Sequence, residues 1–305
     1  MPQHETRKGL LTYKQHEKLA TALFLLPALF FIAIFSYVSF ILTFFLSFYQ
    51  VDWLGTFKFV KFLNYVKVFH YDLFWKSLVN ISWYVALTVS TGLVLGLFFA
   101  ALMEQKVKGL GFFRVAFFLP MVVSAAATAW IFRLLFSKGQ VVPELVRSLS
   151  HGLIQVDFLG DPKLVMSAVA IMTMWGGIGY WILIYTAGLR SIDPQLYESA
   201  MIDGAGFFKR TVHITVPLLK PVILFLSITG VIRAFQLFAM VWLMAPYGEA
   251  PGGPDDALQV PILLIYNIAF GQMDFGYASA LAAALFFILL ILTIIQAKLG
   301  GLTQR

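Results

Sequence analysis

Six long apolar stretches separated by polar intervals set the pattern of this chain. They run over roughly 20–48, 76–103, 115–137, 164–189, 218–245 and 276–297. A helix of about 20 apolar residues crosses the hydrocarbon core of a bilayer, and each stretch is long enough. The pattern predicts an all-α fold: a polytopic membrane helix bundle with about six transmembrane helices. The polar intervals are 1–19, 49–75, 104–114, 138–163, 190–217, 246–275 and 298–305. The first apolar run, Leu19 to Tyr49, far exceeds the about 7–15 residues of a secretory signal core and ends without a small-residue cleavage site. It is expected to be a retained span. Residues 1–19 then form a leader segment, and 20–305 form one membrane domain.

Basic residues give the orientation. With Lys76 and Lys220 counted in the intervals they adjoin, the set holding both termini, 104–114 and 190–217 carries 13 Lys and Arg, against 7 in the other set. The positive-inside rule places both termini and the 190–217 loop in the cytoplasm. The 246–275 interval has no Lys or Arg but carries Glu249, Asp255, Asp256 and Asp274, which suits an external face.

Composition narrows the chemistry. The chain is 60% hydrophobic and 12% charged, half the about 25% charge of a soluble domain. It has no cysteine, which excludes disulfides, thiol nucleophiles and thiolate metal sites. Its five histidines are scattered, without a pair at metal-ligand spacing. No cofactor or metal is expected. The net charge of +7 fits basic loops at a lipid surface better than nucleic-acid binding. No Asp or Glu falls inside a span. Ion-coupled carriers usually need an intramembrane carboxylate or a comparable ion site, so the driving energy is expected to come from elsewhere.

The 190–217 loop is the most informative interval. Asp193-Pro194 is a helix start, with Asp as N-cap and Pro at the first helical position, and Gly204 is a fitting stop. The helix between them spans about 10 residues, roughly 15 Å, too short to be stable alone in water. Leu196, Tyr197, Ala200 and Met201 lie on one side, with Glu198 and Asp203 elsewhere on the circumference. Pro217 and Pro221 bracket the start of the fifth span, where a helix kinks or restarts. Three readings fit such a helix: it lies on lipid, it packs under the bundle, or it docks on a partner.

Glu198, Ala200, Asp203-Gly204-Ala205, Ile214 and Pro217 stand at the intervals of a known signature: Glu-Ala-Ala, three residues, Gly, nine residues, Ile, one residue, Leu-Pro. The stretch resembles the cytoplasmic loop of importer permeases in the ATP-binding-cassette superfamily, with Ser199 and Val216 as mild departures. The resemblance implies a coupling helix, roughly Pro194–Asp203, held in a cleft of a soluble ATPase subunit. Glu198 would contact the ATPase and Gly204 would set backbone geometry. It also implies two ATPase subunits, a second homologous permease and an external solute-binding protein as partners. No Walker sequence is present, so ATP hydrolysis would belong to the ATPase partners and this chain would not itself be an enzyme.

Further stretches resemble the carbohydrate-uptake branch, of the maltose and glycerol-phosphate type: Pro27-Ala28-Leu29-Phe30, Leu46-Ser47-Phe48, Asn64-Tyr65, Phe118-Leu119-Pro120, Gly252-Gly253-Pro254 and Phe275-Gly276-Tyr277-Ala278-Ser279-Ala280. The amino-terminal half resembles the first of the two permeases that this branch pairs, which implies a heterodimer. Ala239 departs from an acidic residue common in relatives, and the Met244–Ala250 stretch is a few residues longer. Amino-acid or peptide permeases are the near alternatives; an ion-coupled carrier or channel is the distant one.

Substrate-path candidates are Arg233 and Gln236, on one face deep in the fifth span, with Asn80, Trp175, Tyr180, Trp242 and Asn267. Each has a structural reading beside it: carbonyl-bonded arginine, helix-bridging amide or aromatic packing and interfacial belt. Arg133, near one end of the third span, is expected to snorkel. Gly176, Gly177 and Gly179 are expected to permit close helix approach.

Overall fold

A computed structural model describes residues 6–51, 55–104, 109–245 and 252–301, without the side chains of residues 6–16 and 19. Glu249, the end of the Met244–Ala250 stretch, and the basic residues Lys106, Lys108 and Arg305 lie outside the described residues.

The chain is helical almost throughout. The first span is α1 (Thr6–Ile32), a π-helical stretch Ala33–Val38 and α2 (Ser39–Leu46), followed by a small antiparallel hairpin of β1 (Tyr49–Val51) and β2 (Phe57–Phe59). After α3 (Leu63–Phe69) come the second span, α4 (Asp72–Met103), then α5 (Leu110–Val122), α6 (Ala125–Phe136) and α7 (Val141–Leu149). The fourth span is α8 (Val165–Arg190). The loop helices are α9 (Pro194–Ile202), α10 (Phe207–Arg210) and α11 (Val216–Leu218). The rest is α12 (Lys220–Phe235), α13 (Ala239–Met244), α14 (Pro261–Tyr266) and α15 (Phe275–Leu299), the sixth span.

Spans one, two, four and six match expectation, and the third and fifth differ in instructive ways. The third span is two helices bent by 102° at Val123-Ser124. Ser124 adopts extended backbone and its Oγ accepts the Ala127 N–H at 3.2 Å, so the second helix starts with its own N-cap. The fifth span bends by 69° at Leu219, between Pro217 and Pro221 as expected. It then stops at Gln236, and α13 begins three residues later. An unbroken apolar run hides both interruptions. The 246–275 interval contains α14, which continues as a π-helical stretch Asn267–Gly271 and buries Leu263, Leu264 and Ile268. Eleven helical residues are too few to read as a span.

One indole organises the centre. Trp181 of α8 lies in a notch made by Gly92 and Gly96 of α4 and Gly230 of α12. A Cβ at Gly96 would sit 2.7 Å from the Trp181 Cβ, and one at Gly230 would sit 2.7 Å from the ring. In lipid, helices associate through close van der Waals packing, and small residues permit it. Gly179 serves the expected purpose, facing the Phe117 carbonyl of α5. Gly176 and Gly177 do not: nothing lies within 4 Å of where their side chains would start.

Arg133 also corrects expectation. It does not snorkel but is buried at 9% exposure, and its Nη1 donates to the Leu243 carbonyl at 3.0 Å. That carbonyl belongs to the last turn of α13, where a cation satisfies free carbonyls and the helix dipole together. The guanidinium also lies 5.5 Å from the Trp130 ring centre.

Candidate functional site: a loop helix and a broken span

At the end of the bundle where α4 and α8 stop, α9 packs its Tyr197 against the core and has no fully buried residue. Its N-terminus is built as the Asp-Pro pair requires: the Asp193 carboxylate accepts the Gln195 N–H at 2.9 Å, and Pro194 takes the position whose N–H has no helical partner. At its C-terminus Gly204 has φ +75°, Ala205 N–H donates to Ala200 O at 2.9 Å, and Gly204 N–H donates to Met201 O at 3.1 Å. These two bonds with a left-handed residue are a Schellman ending. Only glycine takes that conformation without cost, which gives the glycine of the signature its physical reason.

The helix has two stripes. Pro194, Tyr197 and Met201, spaced by three and four, line a cavity of about 1110 Å³ between α9 and the bundle. Gln195, Glu198 and Ile202 form another stripe and are exposed, Ile202 at 87%. Glu198 makes no ion pair with a described residue. The Ser199 hydroxyl turns back to the Gln195 carbonyl at 2.8 Å. Ala200 and Ala205 are partly buried, and Asp203 is the exposed C-cap. Ile214 is partly buried in the π-helical stretch Thr211–Thr215, and Pro217 lies exposed in α11.

Two contacts that the sequence did not announce tie this loop down. Tyr197 Oη and Thr215 Oγ1 lie 3.0 Å apart, joining α9 to the approach of the fifth span. Arg190, the last residue of α8, bonds Glu104 Oε1 through both Nε and Nη2 at 3.0 Å, tying the ends of α8 and α4 together. Tyr197 on the inward stripe was the one available signal; the ion pair joins residues 86 positions apart.

The substrate-path candidates do not form one cluster. Arg233, in the last turn of α12, stacks on Tyr180 of α8 with its guanidinium 4.2 Å from the ring centre. Gln236 follows it at the break between α12 and α13, and both side chains are exposed. A cation on an aromatic face is attracted by the ring quadrupole. Trp175 instead pairs with Phe132 of α6 at 5.4 Å. Trp242 packs against Phe238 and Tyr266. Asn80 belongs elsewhere: its amide donates to the Asp256 and Gln259 carbonyls at 2.8 and 2.9 Å, pinning the 252–260 turn to α4 beside the Lys76–Asp255 ion pair. Asn267 is partly buried, and its carbonyl accepts the Gln272 N–H. Of these candidates, Arg233 and Tyr180 are in contact, with Gln236 next to Arg233 at the helix end.

This geometry has counterparts among known proteins. The family described as "binding-protein-dependent transport system inner membrane component" matches residues 92–300. A probable ABC transporter permease protein of Bacillus subtilis, YurN, is 32% identical over 285 residues, covering 92% of this chain and 96% of that protein. The trehalose/maltose transport system permease protein MalF of Thermococcus litoralis is 30% identical, covering 91% and 92%. The lactose transport system permease protein LacF of Rhizobium radiobacter is 32% identical, covering 90% and 91%. The crystal structure of a bacterial ABC transporter that imports the acidic polysaccharide alginate shares the fold, with a TM-score of 0.80 over 97% of this chain and 99% of that one at 22% identity. A family match across most of the chain, with relatives of the same length and the same fold, is decisive: this chain belongs to the binding-protein-dependent transport system inner membrane components, the permeases of ABC importers.

Proposed function

We propose that this chain passes a sugar or related polyol from an external binding protein into the cytoplasm, as the non-catalytic half of an ATP-driven importer. The observation that carries the reading is α9, capped at both ends by its own sequence, with Glu198 and Ile202 presented outward. Such a helix gains its stability from packing against something, since nine residues do not hold a helix alone. An ATPase cleft is the partner that fits the loop signature. Two ATPase subunits act as a pair, so a second permease supplies the other docking helix. The first span leaves room for that partner: none of its most apolar stretch within Ala20–Leu46 is buried within this chain. The excess of Lys and Arg on the side of the loop supports a cytoplasmic location for α9 and both termini.

The carbohydrate assignment rests on the relatives, whose names include trehalose/maltose and lactose systems. Arg233, Tyr180 and Gln236 are the groups proposed to meet the cargo. A guanidinium over an aromatic ring offers a donor fork beside a stacking face. Arg233→Ala is expected to cut uptake at least about tenfold, the loss of a charged hydrogen-bonding group, while complex assembly and basal ATPase activity persist. Loss of assembly would instead make Arg233 a structural residue.

The docking assignment is tested by pull-down. Deleting Pro194–Asp203 from the full chain is expected to abolish recovery of the ATPase subunit while the permease still inserts in the membrane. Undiminished recovery would sink it.

A further inference from the structure

The loop signature specifies neither Tyr197 nor Thr215: the first precedes Glu198, and the second fills the free position between Ile214 and Val216. Yet their hydroxyls, 18 positions apart in the chain, make a hydrogen bond that leaves α9 for the approach of the fifth span. Around that bond α9 is loosely held. A cavity of about 1110 Å³ separates it from the ends of α4 and α8, and none of its residues is fully buried. Tyr197 alone of the inward stripe packs against the core. Atoms facing a gap have no partner across it, so a displacement of α9 reaches the fifth span where the tyrosine touches.

Thr215 is placed to pass that displacement on. It is 5% exposed and ends the π-helical stretch Thr211–Thr215, a form that recurs at functional sites. Its carbonyl accepts the Leu219 N–H at 2.9 Å. Leu219 is buried at the 69° bend of the fifth span, against Gly188 of α8, where a Cβ would meet its Cδ2 at 2.9 Å. Hydroxyl pair, carbonyl and leucine thus form one contiguous line from the loop helix to the joint where α12 begins. Contiguous chains of this kind are what carry coupling between separated sites.

We propose that Tyr197 is a positioning residue for transport: through Thr215 it hands movement of α9 to the bend at Leu219, so that the fifth span follows the ATPase. The inference rests on the docking reading of α9 given above. The test measures uptake and ATP hydrolysis together in proteoliposomes of the assembled transporter, with co-purification of the ATPase subunit followed in the same samples. Tyr197→Phe and Thr215→Val each delete one hydroxyl at nearly constant shape. Each is expected to lower uptake per ATP hydrolysed about three- to tenfold, the worth of one neutral hydrogen bond, with ATPase recovery unchanged. A merely structural bond would lower yield or melting temperature and leave that ratio alone. Thr215→Ser keeps the hydroxyl and is expected to keep the wild-type ratio. The double variant Tyr197→Phe with Thr215→Val is expected to be no worse than either single one, because both act through one bond. A wild-type ratio in either single variant, equal losses in Thr215→Ser and Thr215→Val, or additive losses in the double variant would overturn the proposal. If Tyr197→Phe does not fold, Thr215→Val against Thr215→Ser decides it. Loss of the ATPase subunit from a hydroxyl variant would also overturn it, making the pair a docking contact. Failure of the docking reading itself shows differently, as normal ATPase recovery after Pro194–Asp203 is deleted.

Discussion

Gly204→Val is expected to leave the permease inserted and folded but to lower ATP-driven uptake about tenfold or more. At φ +75° the glycine supplies the left-handed residue on which both closing bonds of α9 depend. A non-glycine residue there costs about 1–2 kcal/mol, and a β-branched one is worse, which is at least a tenfold shift in population against the Schellman ending. Nothing lies within 4 Å of where the new side chain would start, so the effect is conformational rather than steric. The signature of uncoupling is ATP hydrolysis that continues in proteoliposomes while uptake falls. Gly204→Asn is the control, because Asn visits the left-handed region most readily after glycine. Wild-type uptake in the valine variant would remove Gly204 from the docking mechanism.

The largest stability effect is expected at Trp181. Truncating a buried tryptophan to alanine costs about 3–5 kcal/mol, and here the indole joins α8 to α4 and α12 at once. Trp181→Ala should lower the apparent melting temperature in detergent by several degrees. Gly92→Val pushes a branched side chain into the ring and should damage the same packing from the other side. The two substitutions are in contact and should be strongly non-additive, the double variant being less damaged than the sum. Gly176→Ala is the contrast: it faces open space and should not move the melting temperature. Equal effects at Gly92 and Gly176 would remove the notch as the organising contact.

How much of this was legible in the sequence follows from which interactions are local. Spans two, four and six were legible because each is one straight helix with a uniform apolar run. The ends of α9 were legible because Asp193-Pro194 and Gly204 act on backbone groups within a few residues of themselves. The breaks at Ser124 and Gln236 were not, since apolar composition continues through both. Arg133 was misplaced because its partner, the Leu243 carbonyl, lies 110 positions away, and a lone arginine near a span end has the sequence appearance of a snorkelling one. Of the path candidates, Arg233 lies in the last turn of α12 and Gln236 is its C-cap, both exposed at the break. Which of its two readings Asn80 takes was not legible, because only the folded turn reveals that its amide donates to two carbonyls far along the chain.

The interrupted fifth span has a mechanical consequence. Its first piece, α12, is wedged against α4 through Gly230 and Trp181, whereas its second piece, α13, is fastened to α6 by Arg133. The two pieces thus have different main neighbours, α4 and α6, though both touch α8, and they are joined by Gln236, Leu237 and Phe238. Arg233 and Gln236 stand beside that joint, so a tilt of α12 relative to α13 would be felt first at those two side chains.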